Sequence, residues 1–201
     1  MLSGSQATEA AFKQLAPGKR FLHLATHGFF LNGPCPSALE APRDPPGMWR
    51  NVVAAGENPL LLSGLAMAGA NNRHATCTDE EDGILTAEEI AALDLEGVEW
   101  AVLSACDTGL GEVMAGEGVF GLRRAFQVAG VRTLLTSLWA VEDAATQEWM
   151  NSLYRRRFLV GSGTAESVRD ASLELLRNRR AKNHSTHPFY WAGFVAVGDW
   201  R

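Results

Sequence analysis

Two short segments of this 201-residue chain end an apolar run in a residue able to do acyl-transfer chemistry. The first is Phe21-Leu22-His23-Leu24-Ala25-Thr26-His27-Gly28, and the second is Val102-Leu103-Ser104-Ala105-Cys106-Asp107-Thr108-Gly109. A cysteine acts as a nucleophile in its thiolate form, and a neighbouring imidazole raises the thiolate's availability near neutral pH. The same imidazole can then protonate a leaving amine. Gly28 has no side chain, so a substrate carbonyl can approach its backbone N–H; together with the N–H of Cys106 this would make an oxyanion hole. No third carboxylate is evident, because Asp107 is adjacent to Cys106 and in an extended chain points to the other face. Taken singly, each residue has an ordinary reading: a cysteine at a strand end as a small hydrophobe, a histidine before glycine as part of a turn. Their occurrence as a pair, on matching strand ends, is what points to catalysis.

The elements that must position this pair are readable in outline. Residues 20–25 and 98–105 are short apolar runs, as expected of strands, the second buried on both faces of a parallel sheet. If both are parallel members of one sheet, His27 and Cys106 emerge at its carboxyl edge, where open α/β sheets place their sites. Residues 59–66, 132–138 and 190–197 read as further strands. Helices are expected over about 7–16, 87–93, from the Gly-rich turn after Cys106 to 129, 143–158, and from Thr164 to about 180. Thr86 with Glu89 is a capping-box signature, with Leu85 and Ile90 placed as a hydrophobic staple. Gly130 supplies a helix stop, Gly161 and Gly163 mark a break, and Thr164 is a candidate cap. Alternating strands and helices give an α/β class with a mainly parallel sheet. Residues 31–58 hold Pro34, Pro36, Pro42, Pro45, Pro46 and Gly47 and are expected to form a long loop within the domain, leaving the sheet directly after His27. Residues 70–83 read as a second, acidic loop.

Bulk properties narrow the classes. The chain is long enough for one domain with a full core, and its 46% apolar and 20% charged residues are ordinary for a globular protein. A net charge of −5 without a Lys/Arg stripe gives direct nucleic-acid binding no electrostatic support. Arg155–Arg157 reads as a charge cluster on the solvated end of a helix. No apolar stretch is long enough to span a bilayer and the N-terminus lacks a signal peptide's apolar centre, so no membrane association is expected. Three cysteines, few and odd in number, argue against a disulfide framework and for a reducing, cytoplasmic setting.

The segments HLATHGFF, NPLLLSGLAMAGAN, DGILTAEEIAALDL, LSACDTGLGEVMAGEGVFGLRRAFQVAG, SLWAVEDAAT and HPFYWAGFVAVGD occur in an order that resembles the CHAT domain, a family related to caspases and separases. The caspase signature, a cysteine before Arg or Gln and Gly with an upstream histidine, is a relative of the pattern here but not a match. The resemblance implies a caspase-like three-layer fold, a mainly parallel sheet flanked by helices, and cysteine endopeptidase activity through a thioester. It implies Cys106 as nucleophile and His27 as general base. It also implies a protein or peptide substrate, no cofactor, and control by a repeat-domain protein, since relatives often carry helical repeats. The family's domain usually begins earlier, with further strands and helices. Residues 1–201 are therefore expected to be an N-terminally incomplete CHAT domain. The alternative reading is a non-enzymatic, truncated CHAT module acting in protein–protein interaction.

Further candidates have weaker support. Ser137 through Trp139 is a strand end suited to pairing with an extended substrate backbone, although a core role fits Trp139 nearly as well. Asp143 is placed to receive a basic side chain, or simply to cap the helix that follows. Both are taken, with Ser137, as substrate-binding expectations. Cys35, His74 and Cys77 fall short of the four ligands that a structural zinc needs, so no metal is expected. Glu117 suits the start of the following helix, His184 and His187 read as surface residues, and Gly109-Leu110-Gly111 is too weak for a nucleotide loop.

Overall fold

A computed structural model describes residues 1–30, 60–61, 63–71, 81–104 and 118–201. Four strands form sheet A: β1 (Phe21–Leu24), β5 (Trp100–Leu103), β6 (Thr133–Ser137) and β7 (Phe194–Gly198), in the order β1-β5-β6-β7. β1, β5 and β6 run parallel, and β7 closes the edge antiparallel to β6. The reason is visible in β5, whose four residues Trp100-Ala101-Val102-Leu103 are all buried and face two different cores. Ala101 and Leu103 join Leu24, Leu134, Ile90, Leu122 and Phe126 on one side. Trp100 and Val102 join Leu135, Trp149, Leu153, Leu175 and Phe194 on the other. A strand apolar on both faces needs a helical layer on each.

Those layers come from α1 (Glu9–Leu15), α2 (Ala87–Ala91) and α3 (Gly118–Val128) on the first side, and α4 (Asp143–Tyr154) and α5 (Thr164–Ala181) on the second. The result is a mixed α/β, caspase-like three-layer fold with a mainly parallel sheet. The expected capping box at α2 is complete: the Thr86 hydroxyl accepts the Glu89 N–H, and the Glu89 carboxylate accepts the Thr86 N–H. Leu85 and Ile90, the staple pair, are fully buried.

Four features depart from the expectations. His27 does not sit in a turn: it opens β2 (His27–Phe30), which pairs antiparallel with β3 (Ser63–Ala66), and β3 pairs with β4 (Ile84–Thr86) in a separate sheet B. Thr164 is not a cap. Gly163 takes that position, while Thr164 lies inside the first turn, buried, with its hydroxyl accepting the Trp100 indole N–H. The run expected as a strand over 190–197 starts instead as a 3-10 turn, Pro188–Tyr190, and β7 begins only at Phe194. Proline at the first position of that turn sets its φ and sends no N–H into a ladder.

The helix expected to run to 158 ends at Tyr154 and widens into a π-helical turn, Arg155–Val160, closed by Gly161 at φ 79°. Its arginines are paired, although Arg155 stays exposed. Arg155 and Arg156 pair with Glu174, Arg156 also with Asp170, and Arg157 lies over the Trp100 ring within reach of Glu99. Hydrogen bonds from Ser152, Arg155 and Arg156 outweigh burial and hold the Glu174 carboxyl below its usual range. The expected loop over 31–58 lies outside the described residues, as does most of the acidic one. Among the described residues, no helix is long and apolar enough to cross a membrane.

Candidate functional site at the carboxyl edge of sheet A

The parallel register of β1 and β5 pairs Leu24 with Leu103, and the Ser104 N–H extends the ladder by donating to the Leu24 carbonyl at 2.9 Å. The two strands therefore end level with one another. From Leu24 the chain passes Ala25 and Thr26 to reach His27; from Leu103 it passes Ser104 and Ala105 to reach Cys106. Cys106 itself, with Asp107 and Glu117, lies outside the described residues, as do Cys35, His74 and Cys77. Among the described residues there is no group of three or more metal-ligating side chains.

His27 is held by its backbone. It pairs with Ala66 across sheet B, and the Thr26 hydroxyl donates to the Ala66 carbonyl. The adjoining pairs are Gly28 with Leu65 and Phe29 with Gly64. Gly64 admits the Phe29 ring: a Cβ there would lie 2.8 Å from it and 2.7 Å from the Leu85 carbonyl oxygen. Sheet B is thus a brace that fixes where the chain goes after β1. The His27 side chain is exposed and Gly28 is buried.

His23 is the other histidine of this segment, and it is committed to structure. Its Nδ1 lies 2.8 Å from the Tyr154 hydroxyl, and its ring lies against the Tyr154 ring. Burial pushes the His23 imidazole pKa down and the Tyr154 phenol up to about 12, so both are neutral near pH 7.

Sheet B is anchored from below by a charge cluster that the sequence analysis missed. Buried Glu9 accepts the Gly83 N–H at 3.1 Å and the Lys13 ammonium at 2.6 Å. Lys13 also reaches Glu89 at 2.9 Å and Glu81 at 3.3 Å. Desolvation raises the Glu9 carboxyl to about 7 despite Lys13. Burial acts the same way on Glu89, but the bonds from Lys13 and Thr86 outweigh it and hold that carboxyl at about 2. The Gly83 carbonyl accepts the Met67 N–H, which ties the cluster to the end of β3. The i, i+4 spacing of Glu9 and Lys13 is the one part of this cluster that sequence could have shown.

At the end of β6, Ser137 is buried and pairs with Phe194, and the Leu138 N–H donates to the Gly193 carbonyl at 2.7 Å. One side of this segment is therefore taken by β7. Trp139 is half-buried, and its indole N–H donates to the Phe189 carbonyl at 3.0 Å. Gly193 leaves room for it: a Cβ there would lie 2.6 Å from Val141 and 3.3 Å from the indole nitrogen. Asp143 is exposed in the first turn of α4, one place after the cap residue Glu142, so it is not the cap. His184 and His187 are exposed, and His187 Nδ1 accepts the Phe189 N–H.

The chain is 30% identical over 123 residues to tetratricopeptide repeat protein 28 of Homo sapiens, and 32% identical over 123 residues to that of Mus musculus. Each alignment covers 61% of this chain but only 5% of the relative, so the chain spans a small fraction of the proteins it matches. The CHAT domain model matches residues 1–199, and the chain accordingly belongs to the CHAT domain family, a caspase-like, peptidase-related family.

Proposed function

We propose that this chain is a cysteine endopeptidase with Cys106 as nucleophile and His27 as general base. The observation that carries this reading is the level ending of β1 and β5, sealed by the Ser104–Leu24 hydrogen bond, with His27 and Cys106 equally spaced beyond it. In the proposed reaction the Cys106 thiolate attacks the scissile carbonyl carbon. The Gly28 and Cys106 N–H groups receive the oxyanion. Collapse breaks the C–N bond, and His27 gives the leaving amine its proton. A water, deprotonated by His27, then attacks the thioester; the carboxylic acid leaves and the thiol is restored. No cofactor or metal takes part.

On this reading Ser137, Trp139 and Asp143 serve substrate binding: buried Ser137 holds the strand end, the chain from there through Trp139 guides an extended peptide, and exposed Asp143 receives a basic side chain. The protein works in the cytoplasm under the control of a repeat-domain protein, without membrane or direct nucleic-acid contact. The repeat-protein relatives favour that regulation, and equally a second reading in which the CHAT module serves protein–protein interaction without catalysis.

A peptidyl acyloxymethyl ketone separates the two. It should label the wild type, Cys35→Ala and Cys77→Ala but not Cys106→Ala. His27→Ala should remain folded while its labelling rate falls at least about 100-fold. Equal labelling of all three cysteines, or none of Cys106 in the presence of a repeat-domain partner, rules the peptidase out.

A further inference from the structure

Arg179, in the last turn of α5, ties the end of that helix to the loop after it and to the start of α4. Its Nε donates to the Ser185 carbonyl at 2.6 Å, its guanidinium lies 3.8 Å from the centroid of the Tyr190 ring, and its Nη1 lies 3.9 Å from the Glu142 carboxylate. Only 13% of the side chain is exposed, whereas residues 181–189 around it are all exposed. A cation is withdrawn from water beneath a solvated loop, which is unfavourable unless the contacts made there compensate. A guanidinium suits the place because it can donate in its plane and stack on a ring with its face; an ammonium cannot do both.

The three contacts share a destination. Ser185 and Tyr190 belong to the loop that supplies the Phe189 carbonyl to the Trp139 indole and leads to the Gly193 carbonyl that accepts the Leu138 N–H. Glu142 ends the short stretch that begins at Leu138 and takes the cap position of α4. Leu138, Trp139 and Glu142 are therefore each fixed by Arg179 or by the loop it holds. Within the loop, the Trp191 indole bonds the Thr186 carbonyl and His187 bonds the Phe189 N–H, so it moves as a unit once its external ties are cut.

We infer that Arg179 is a positioning residue for the segment Leu138–Glu142 that follows β6, setting how tightly the proposed peptidase holds an extended peptide. This rests on the peptidase reading. Arg179 touches neither substrate nor reacting atoms, so its loss should appear in binding and leave the chemical step alone.

The test compares wild type, Arg179→Lys and Arg179→Leu, with the repeat-domain partner present if turnover requires it. Expected is a rise in KM of about tenfold for Arg179→Leu, with kcat within about twofold and alkylation of Cys106 by iodoacetamide unchanged. Arg179→Lys keeps the charge near Glu142 but not the planar contacts. It should fall between the two, and it serves as the folded variant if Arg179→Leu does not express. Unchanged KM in both variants, or an equal loss in kcat, overturns the positioning role and leaves the peptidase standing. If the wild type shows no turnover, the peptidase reading fails, and hydrogen exchange decides the positioning alone. Faster exchange of the Leu138 amide in Arg179→Lys, with Leu175 in the α5 core unchanged, supports it; equal exchange at Leu138 overturns it.

Discussion

The Ser104 N–H donates to the Leu24 carbonyl, one step beyond the last register pair of β1 and β5. That bond makes the exits of the two strands neighbours, so the question of catalysis becomes one of how two short arms are held. A chemical ruler can measure it. In a background with Cys35 and Cys77 replaced by Ser, His27→Cys should form a disulfide with Cys106 under mild oxidant, which needs Cα atoms within about 7 Å. Val128→Cys, on an exposed helical position, is the control and should not join. Mass analysis of the digested protein reads the product. Absence of the linkage even with a flexible bismaleimide would show that the arms diverge after Leu24 and Leu103.

The charge cluster under sheet B gives stability an unusual pH dependence. The Glu9 carboxyl is raised to about 7 in the fold against an unfolded value of 4.5, so the folded state binds its proton more tightly than the unfolded. Ionising Glu9 therefore works against folding above pH 7, and this group's contribution to stability should increase as pH falls from 8 towards 5. Glu89, held at about 2, acts in the opposite sense, and its contribution is lost only as pH falls from 4.5 towards 2. In a His23→Gln background, which removes the opposing titration of the imidazole that burial holds below its usual range, the unfolding free energy should accordingly be higher at pH 5 than at pH 8, by an amount on the order of 2 kcal/mol. Glu9→Gln keeps an acceptor for the Gly83 N–H without the charge and should flatten this profile. An unfolding free energy that falls between pH 8 and pH 5 in the His23→Gln background would contradict the argument.

Sheet A and its helices were legible because each was written in one local pattern. Residues 98–105 are a continuous apolar run, Thr86 and Glu89 stand at capping spacing, and Gly130, at φ 105°, stops α3 where the apolar face ends. Sheet B was legible only in part: β3, Ser63–Ala66, lies within the strand expected over 59–66, but β2, β4 and their pairing were not read. His27-Gly28-Phe29-Phe30 and Ser63-Gly64-Leu65-Ala66 are short, contain glycine and do not alternate. What makes them strands is tertiary: the Thr26 hydroxyl on Ala66, and the Phe29 ring over Gly64. The aromatic run after Pro188 was read as strand, but it makes its hydrogen bonds from a turn: the Trp191 indole donates to the Thr186 carbonyl, and the Phe189 carbonyl accepts the Trp139 indole N–H. His27 was visible as a candidate from its strand-end setting. Arg179 was not, because Ser185, Tyr190 and Glu142 bear no spacing to it that any element would dictate.

Thr164 supplies a direct test of one such override. A cap threonine tolerates Ser, Asp or Asn, since any of them accepts a backbone N–H. Thr164 is buried, and its hydroxyl both accepts the Trp100 indole N–H at 3.1 Å and donates to the Arg201 carbonyl, so a carboxylate there would bury a charge and lose the donor. Thr164→Val should cost roughly 1–3 kcal/mol by leaving that indole unsatisfied, and Thr164→Asp should cost at least as much. Thermal unfolding of the two variants reads the difference. A Thr164→Asp protein as stable as the wild type would restore the capping role.

The last prediction concerns the free side of β1. Among the described residues, no strand pairs with Phe21–Leu24 on the side away from β5. An edge strand usually carries a lysine, a proline or a bulge that discourages further pairing, and Phe21-Leu22-His23-Leu24 has none. In the parallel ladder the Leu24 carbonyl faces β5, so the alternate residues Phe21 and His23 turn their backbone groups outwards. Beside them the π-helical turn exposes Phe158, Leu159 and Val160, at 48%, 81% and 67%. Phe158 also packs edge-on against Phe21 at 4.7 Å, so the apolar turn and the open backbone form one surface. The isolated 201-residue chain should therefore self-associate as its concentration rises. Leu159→Lys places a charge on that surface without touching the core, and should lower the association measured by sedimentation velocity while leaving the thermal midpoint within about 1 °C. Association that is unchanged by Leu159→Lys and by the double variant Leu159→Lys/Val160→Glu would show that the β1 side is not where the molecules meet.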